Sequence, residues 1–241
     1  LTLSKTIAGE LREDFCGTFR LACEWVKLGP KKAALALDLD GEPLEYGKKN
    51  HLKRLSQTQQ QRITLLQQDV CSETEPKADI EIALNFSFFI FKQRTLLLHY
   101  CRSAYASLKH NGLFVLEMAG GPGMIEKVKE STTFKENGKK TFTYTWDQRY
   151  FNPITNDARY SIHFSFPNGT KLRDAFTYDW RIWSVPEVRD AMRDAGFEST
   201  QVYWEVQHKK SGGTEYLPTE EGDNDWAYVT YVVGIKRSDG R

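Results

Sequence analysis

The feature that most restricts how this chain can fold is the alternation, through its first half, of short apolar runs with stretches of helical spacing. Residues 33–37 are a continuous apolar run and 113–118 a second one broken only by Glu117, both too short for helices and without the polar alternation of a half-wet strand. A strand buried on both faces, as in a parallel sheet, requires such runs. Residues 63–70 and 80–91 are further strand candidates, and a short strand is expected just before residue 14. Between these runs, Leu21, Ala22, Trp25, Val26 and Leu28 recur at helical spacing, stopped by Gly29-Pro30. Residues 95–108 place Leu97, Cys101, Ala104 and Leu108 on one helical face, with Asn111-Gly112 expected to close the helix. Strand, helix and strand in this order predict βαβ units and a doubly wound parallel sheet.

The second half changes character. Phe142, Tyr144 and Trp146 alternate with polar residues, as do Tyr160, Ile162, Phe164 and Phe166, and then Phe176, Tyr178, Trp180 and Ile182. Period two with one apolar face predicts three antiparallel strands, divided at Asn152-Pro153 and Pro167-Asn168-Gly169. A last helix is expected from Ser184 as N-cap, Glu187 completing a capping box, and Gly196 as C-cap. Residues 200–206 and 226–235 read as two closing strands around a polar stretch expected to be a long exposed loop. The expected organisation is residues 1–121 as a ligand-binding half, 122–183 as an antiparallel insertion, and 184–241 completing the first unit.

With 241 residues, 40% apolar and 27% charged, the chain can bury a core without metal or disulfide staples. A net charge of +1 provides no field for a nucleic-acid backbone or an anionic membrane, so neither is expected as a partner. Cys16, Cys23, Cys71 and Cys101 form neither a CxxC nor a Cys/His pattern; they read as reduced thiols of a cytoplasmic protein, and no metal site is expected. The sequence begins at Leu1, which leaves room for an upstream segment and gives a missing leader little weight.

Chemistry concentrates at 11–19, Leu-Arg-Glu-Asp-Phe-Cys-Gly-Thr-Phe, between the leading strand and the first helix. Gly17 allows close backbone approach of a ligand at a helix N-terminus. Asp38 ends the next strand, where a carboxylate can accept ribose hydroxyls, and Asp69 ends the third, within reach of an adenine amino group. Alone, each is equally consistent with an ordinary turn or cap; their joint spacing makes one crevice. A dinucleotide is the weaker reading, because only one glycine of G-x-G-x-x-G is present for a pyrophosphate.

These segments resemble the class I S-adenosylmethionine-dependent methyltransferases. Asp-Phe-Cys-Gly-Thr is similar to the family's glycine-rich first motif, Ala-Leu-Asp-Leu-Asp-Gly-Glu-Pro-Leu to its second-strand motif, Gln-Gln-Asp-Val to its third, Ala-Leu-Asn-Phe-Ser to its fourth, and Gly-Leu-Phe-Val-Leu-Glu to its fifth strand. The likeness covers residues 10–120 and returns at 183–197. It implies an α/β, Rossmann-like, seven-stranded sheet with an antiparallel last strand, plus the antiparallel insertion. It also implies S-adenosylmethionine as cofactor and S-adenosylhomocysteine as product. The implied cofactor residues are Arg12, Glu13, Asp14, Cys16, Gly17, Thr18, Asp38, Leu39, Asp69, Val70 and Asn85. The motif's acid maps to Glu13, but Phe15 and Phe19 stand at two of its glycine positions. Arg12 or an N–H near Cys16 is therefore expected to meet the methionine carboxylate, and Glu13 or Asp14 the ammonium group.

Methyl transfer from a sulfonium needs alignment and exclusion of water more than a fixed catalytic residue. Asn85 is the expected polar group nearest the acceptor; without the Pro-Pro that follows it in nucleobase methyltransferases, a small molecule accepting on N or O is favoured. Glu117, Tyr144, Trp146, Tyr178 and Trp180 are the other expected substrate residues, the aromatic ones as a roof for an amine or planar group. His163 is the one histidine nominated as a base, and Gly120-Gly121-Pro122-Gly123 is a lid joint or a tight turn. Alternatives are a cofactor-binding protein without turnover, or a protein or RNA methyltransferase docking through residues 209–225. The aromatic strands could also pair two copies as a homodimer.

Overall fold

The apolar runs of the first half all enter one twisted sheet, and the connections between them set its order. The computed structural model describes residues 8–207 and 214–237. The first half comprises β1 (Glu10–Asp14), α1 (Arg20–Trp25), β2 (Ala33–Asp38), α2 (Gly41–Asn50), α3 (Gln57–Gln60), β3 (Ile63–Gln67), β4 (Ala78–Ala83), α4 (Arg94–Ser107) and β5 (Leu108–Gly120). The second comprises β6 (Lys129–Glu136), β7 (Lys139–Asn152), β8 (Asp157–Ser165), β9 (Lys171–Arg181), α5 (Val185–Ala195), β10 (Ser199–Gln207), β11 (Thr214–Thr219) and β12 (Tyr228–Ile235).

The main sheet runs β11-β10-β12-β5-β4-β1-β2-β3. Strands β1 to β5 pair in parallel, and β12 lies antiparallel to β5. After β3 the chain returns to the other side of β1 to form β4. Open α/β sheets bind ligands at such a reversal, in the crevice beyond the strands' carboxyl ends. The backbone alternation of β1 sorts its side chains between two cores. Leu11 joins Phe19, Ala22, Val26 and Leu44 on the α1 and α2 face, while Arg12 and Asp14 bond to Ser107 and Tyr100 of α4 on the other. The helix α5 forms as its caps predict: Ser184 and Glu187 exchange the reciprocal bonds of a capping box, and Gly196 ends it at φ 112°.

Three local expectations change. The sheet has eight strands, because Thr214–Thr219, within the stretch read as a loop, pairs with β10 at the sheet edge. The smaller sheet has four strands, in the order β6-β7-β8-β9. Both unforeseen strands lie at edges, where wet side chains need no apolar pattern; every residue of β6 is exposed. Finally, α4 stops at Ser107, and Asn111-Gly112 belongs to an irregular stretch of β5, with Asn111 at φ 62°. Residues 209–213 of the proposed docking loop lie outside the described residues.

The small sheet caps the main one through its aromatic face. Trp146, Tyr160, Tyr178 and Trp180 form one cluster with ring centroids 4.4–5.9 Å apart. Trp180 presents its ring edge-on to Phe86 and Phe89, which follow β4, at 6.3 and 5.8 Å. The seam is therefore packed hydrocarbon.

Candidate active site

The bend after β1 is tied to the tip of β2. Cys16 N–H donates to Leu37 O at 2.9 Å, and Gly17 N–H to Asp38 Oδ2 at 2.7 Å. Asp38 Oδ1 accepts from Asp40 N at 2.9 Å. At the start of α1 the N-cap is Phe19, which has no side-chain acceptor, and Glu13 Oε2 accepts the N–H of Ala22 at 2.8 Å instead. Phe15, Gly17 and Phe19 adopt φ of 51°, 52° and 45°. The two phenylalanines thus hold the left-handed conformation that the missing glycines would have taken without strain, at a cost of about 1–2 kcal/mol each. Their rings leave the bend in opposite directions. Phe15 packs 6.0 Å from both Phe91 and Tyr100. Phe19 is fully buried against α2, where a Cβ on Gly47 would lie 2.4 Å from its ring. Above Gly17 the space is open, with no atom within 4 Å of the missing Cβ.

Beside this bend lies a crevice of about 380 Å³, lined among others by Glu13, Phe15, Cys16, Thr18, Arg20 and Asn85. That volume falls within the range of small-molecule sites. Burial pushes the Glu13 carboxyl up to about 7; the charges of Asp14 and Asp38 act in the same direction, and the Ala22 N–H opposes them. Burial likewise raises the Cys16 thiol far above its ordinary range, so it is a neutral wall of the crevice.

Arg12 does not serve the crevice as expected. Its guanidinium has no exposed surface and donates to Asp14 Oδ1, Val70 O, Ser72 O, Thr74 Oγ1 and Ser107 Oγ at 2.6–3.1 Å. Asp14 lines the crevice, with Oδ1 engaged by Arg12 and Oδ2 by the Tyr100 hydroxyl at 2.7 Å. The sequence reading missed Glu81, wholly buried 3.7 Å from Arg12; burial and the charge of Asp14 push its carboxyl well above the ordinary range, and Arg12 opposes them. A polar residue inside the apolar pattern of β4 was the signal. This cluster braces β1, β4 and α4 beneath the bend. The crevice cation is instead Arg20, exposed in the first turn of α1, and Leu21, Glu24 and Leu84 join the lining.

The other expected residues divide. Asn85 stands at the crevice with φ 54°, its backbone N–H donating to Glu117 Oε2 at 2.6 Å. The second Glu117 oxygen accepts from Tyr231 at 2.9 Å, so Glu117 holds the turn. Leu39 is 71% exposed beyond the tip of β2. Asp69 is exposed two residues past β3 and accepts from Cys71 N–H at 2.8 Å. The Val70 side chain is buried in the core on the α4 side and gives no ligand surface. Trp180 is buried in the seam, with Trp146 and Tyr178 packed beside it, while Tyr144 lies further out against Phe164. Their placement fits cap packing.

His163 does not fit the role of base. It lies among the polar residues on the other face of the cap, and its Nδ1 accepts from Asp174 N–H at 2.9 Å. The glycine run after β5 is a tight turn packed on Tyr228 and Trp226: a Cβ on Gly120 would lie 2.2 Å from the Tyr228 oxygen.

No protein-family model matches the sequence, and no curated protein matches it. Solved structures do match. One is an S-adenosylmethionine-dependent methyltransferase from Clostridium acetobutylicum, with a TM-score of 0.67 and 14% identity, covering 95% of this chain and 84% of that one. Another is the sugar N-methyltransferase KedS8 from Streptoalloteichus sp., with a TM-score of 0.65 and 15% identity over 97% and 82% of the two chains. A third is CalS10, an amino pentose methyltransferase from Micromonospora echinaspora solved with S-adenosylmethionine, with a TM-score of 0.67 and 14% identity over 96% and 85%. The chain shares the Rossmann-like fold of these methyltransferases.

Proposed function

We propose that this chain is a methyltransferase that uses S-adenosylmethionine to methylate a nitrogen or oxygen of a small molecule, with S-adenosylhomocysteine as product. The observation that carries the reading is the open bend at Gly17, tied to the Asp38 carboxylate and bordering the crevice at the reversal between β1 and β4.

The residues present fit the cofactor. An ionised carboxylate has about four acceptor positions. Asp38 uses two of them on backbone N–H groups, which leaves two for ribose hydroxyls. Asp69 and the exposed Leu39 stand beyond the neighbouring strand ends, suited to an adenine edge and face. Cys16 and Thr18 line the methionine side and Gly17 leaves the bend between them open, with Glu13 for its ammonium group and Arg20 for its carboxylate. When bound, the cofactor supplies a methyl group activated by its sulfonium. The chain's own task is to exclude water and orient the acceptor, and Asn85 is the polar group placed for that orientation. The Glu117–Tyr231 pair fixes its backbone.

Neighbours named as sugar and glycopeptide N-methyltransferases, and one as an amino pentose methyltransferase, support a small acceptor, with nitrogen the favoured atom. The four unpaired cysteines suit a reducing cytoplasm. Phe134, Leu172 and Phe176, exposed on the cap, supply an apolar surface for pairing two copies. Among the described residues, no helix is long and apolar enough to cross a membrane.

Calorimetric titration with S-adenosylhomocysteine, followed by mass spectrometry of a panel of amines and alcohols incubated with S-adenosylmethionine, tests the reading. Saturable binding and a one-methyl mass gain on an acceptor support it. Absence of binding overturns it, and binding without turnover across the panel favours a carrier.

A further inference from the structure

The polar face of the cap sheet carries a second cavity, of about 400 Å³, remote in kind from the crevice: its lining is dominated by cations. Lys129 of β6, Arg149 of β7, His163 of β8, and Lys171 and Arg173 of β9 border it. One acid, Asp174, stands among them and a second, Asp147, lies against them, and both are engaged. Lys129 donates to Asp147 Oδ2 at 2.7 Å, while Arg149 lies 3.5 Å from the same oxygen and also bonds to Asp174. The side chains of Lys171 and Arg173 have no hydrogen bond or ion pair among the described residues. The rim thus keeps two uncompensated cations.

The local backbone is shaped to this surface. Ile162 pairs with Phe176 and Phe164 with Leu172, so residues 173–175 of β9 bulge out opposite His163 alone. Asp174 holds φ 51° in that bulge, and its N–H donates to His163 Nδ1. With Nδ1 accepting, the ring proton lies on Nε2, 3.2 Å from Asp147 Oδ2. The bulge also places the Asp174 carboxylate on Arg149. The acids of the cleft are thereby held by Arg149, Lys129 and His163, and Lys171 and Arg173 remain open beside the hydroxyl-bearing Thr145 and Ser165.

We propose that this cleft binds a compact, doubly charged oxyanion: a phosphate group, either free or carried by a phosphorylated small molecule. A lone surface lysine would not select such a group. Here ammonium, guanidinium and hydroxyl donors border one concavity, and an anion there would meet several charge-assisted hydrogen bonds at once. The site is on the opposite face of the cap sheet from the aromatic seam, so occupancy does not depend on the proposed methyl transfer.

The test is calorimetric titration of the full chain, without cofactor, using inorganic phosphate and then glucose 6-phosphate. The same titrations are run on Lys171→Ala/Arg173→Ala, whose exposed side chains make no contact that folding needs. The expected result is saturable one-to-one binding that weakens with added sodium chloride and at least tenfold in the double variant. Tighter binding of the sugar phosphate assigns the site to a phosphorylated small molecule, and equal binding assigns it to phosphate itself. No saturable binding of either probe, or binding that the double variant leaves unchanged, overturns the proposal.

Discussion

The left-handed phenylalanine at position 19 makes a sharp stability prediction. Phe19 is fully buried, with φ 45° and ψ 35°, and its ring fills the space over Gly47. Truncating a buried phenylalanine to alanine costs about 3–5 kcal/mol through lost transfer energy and a residual cavity. Phe19→Ala keeps a Cβ in the left-handed region and so retains about 1–2 kcal/mol of backbone strain. Phe19→Gly opens the same cavity but releases that strain, offset in part by the greater freedom of unfolded glycine, about 0.5–1 kcal/mol. The glycine variant is therefore expected to be more stable than the alanine variant by up to about 1 kcal/mol, the order that an N-cap position also favours. Urea unfolding resolves this as a difference in midpoint at equal slope, and in a chain of this size 1 kcal/mol is about 2–4 °C in Tm. If Phe19→Ala proves equal to or more stable than Phe19→Gly, the bend does not hold this residue under strain.

Further outcomes follow from the buried acids. Because the folded-state pKa of Glu13, about 7, lies above its ordinary value, the folded chain binds the extra proton and loses stability as pH rises from about 5 to 7. Thermal unfolding of Glu13→Gln against wild type at pH 5 and pH 8 should show the variant gaining roughly 3 kcal/mol in relative stability; a constant difference would contradict the assignment. If an ionised Glu13 meets the cofactor's ammonium group, affinity for S-adenosylhomocysteine should fall below pH 7, and a flat calorimetric profile would remove that contact. Glu81→Gln should cost no more than about 1 kcal/mol, since burial already favours the neutral form of Glu81, whereas Asp14→Ala should cost about 3 kcal/mol or more by leaving Arg12 and Tyr100 without their acceptor. Equal losses in chemical denaturation would refute that division. Tyr231→Phe should weaken the Asn85 turn by about 1 kcal/mol, visible as faster hydrogen exchange at the Asn85 amide.

Much of this architecture is legible in the chain because the physics involved is local. The apolar runs at 33–37 and 113–118, the second broken only by Glu117, announce strands with no wet face, and Ser184, Glu187 and Gly196 mark α5 within a single turn at each end. The carboxyl-end acids could be read as one set because parallel strands bring Asp14, Asp38 and the end of β3 to the same edge. Arg12 was misread because a cation beside two acids looks the same in sequence whether it faces a ligand or an internal partner. Only the alternation of β1, which sends Arg12 toward α4 and Glu13 toward α1, separates the two. Edge strands β6 and β11 escaped because their stability comes from pairing with a neighbour. The two phenylalanines were visible as departures from a glycine pattern, but the directions of their rings depend on the packing of α2 and α4.

A crystal structure with S-adenosylhomocysteine would test the central claim most directly. The account predicts its ribose hydroxyls on the Asp38 carboxylate and its amino-acid end against Cys16, Gly17 and Thr18, with the Phe15 ring still turned toward Tyr100. Nucleoside density on any other surface, or a crevice that stays closed to the ligand at saturating concentration, would contradict it.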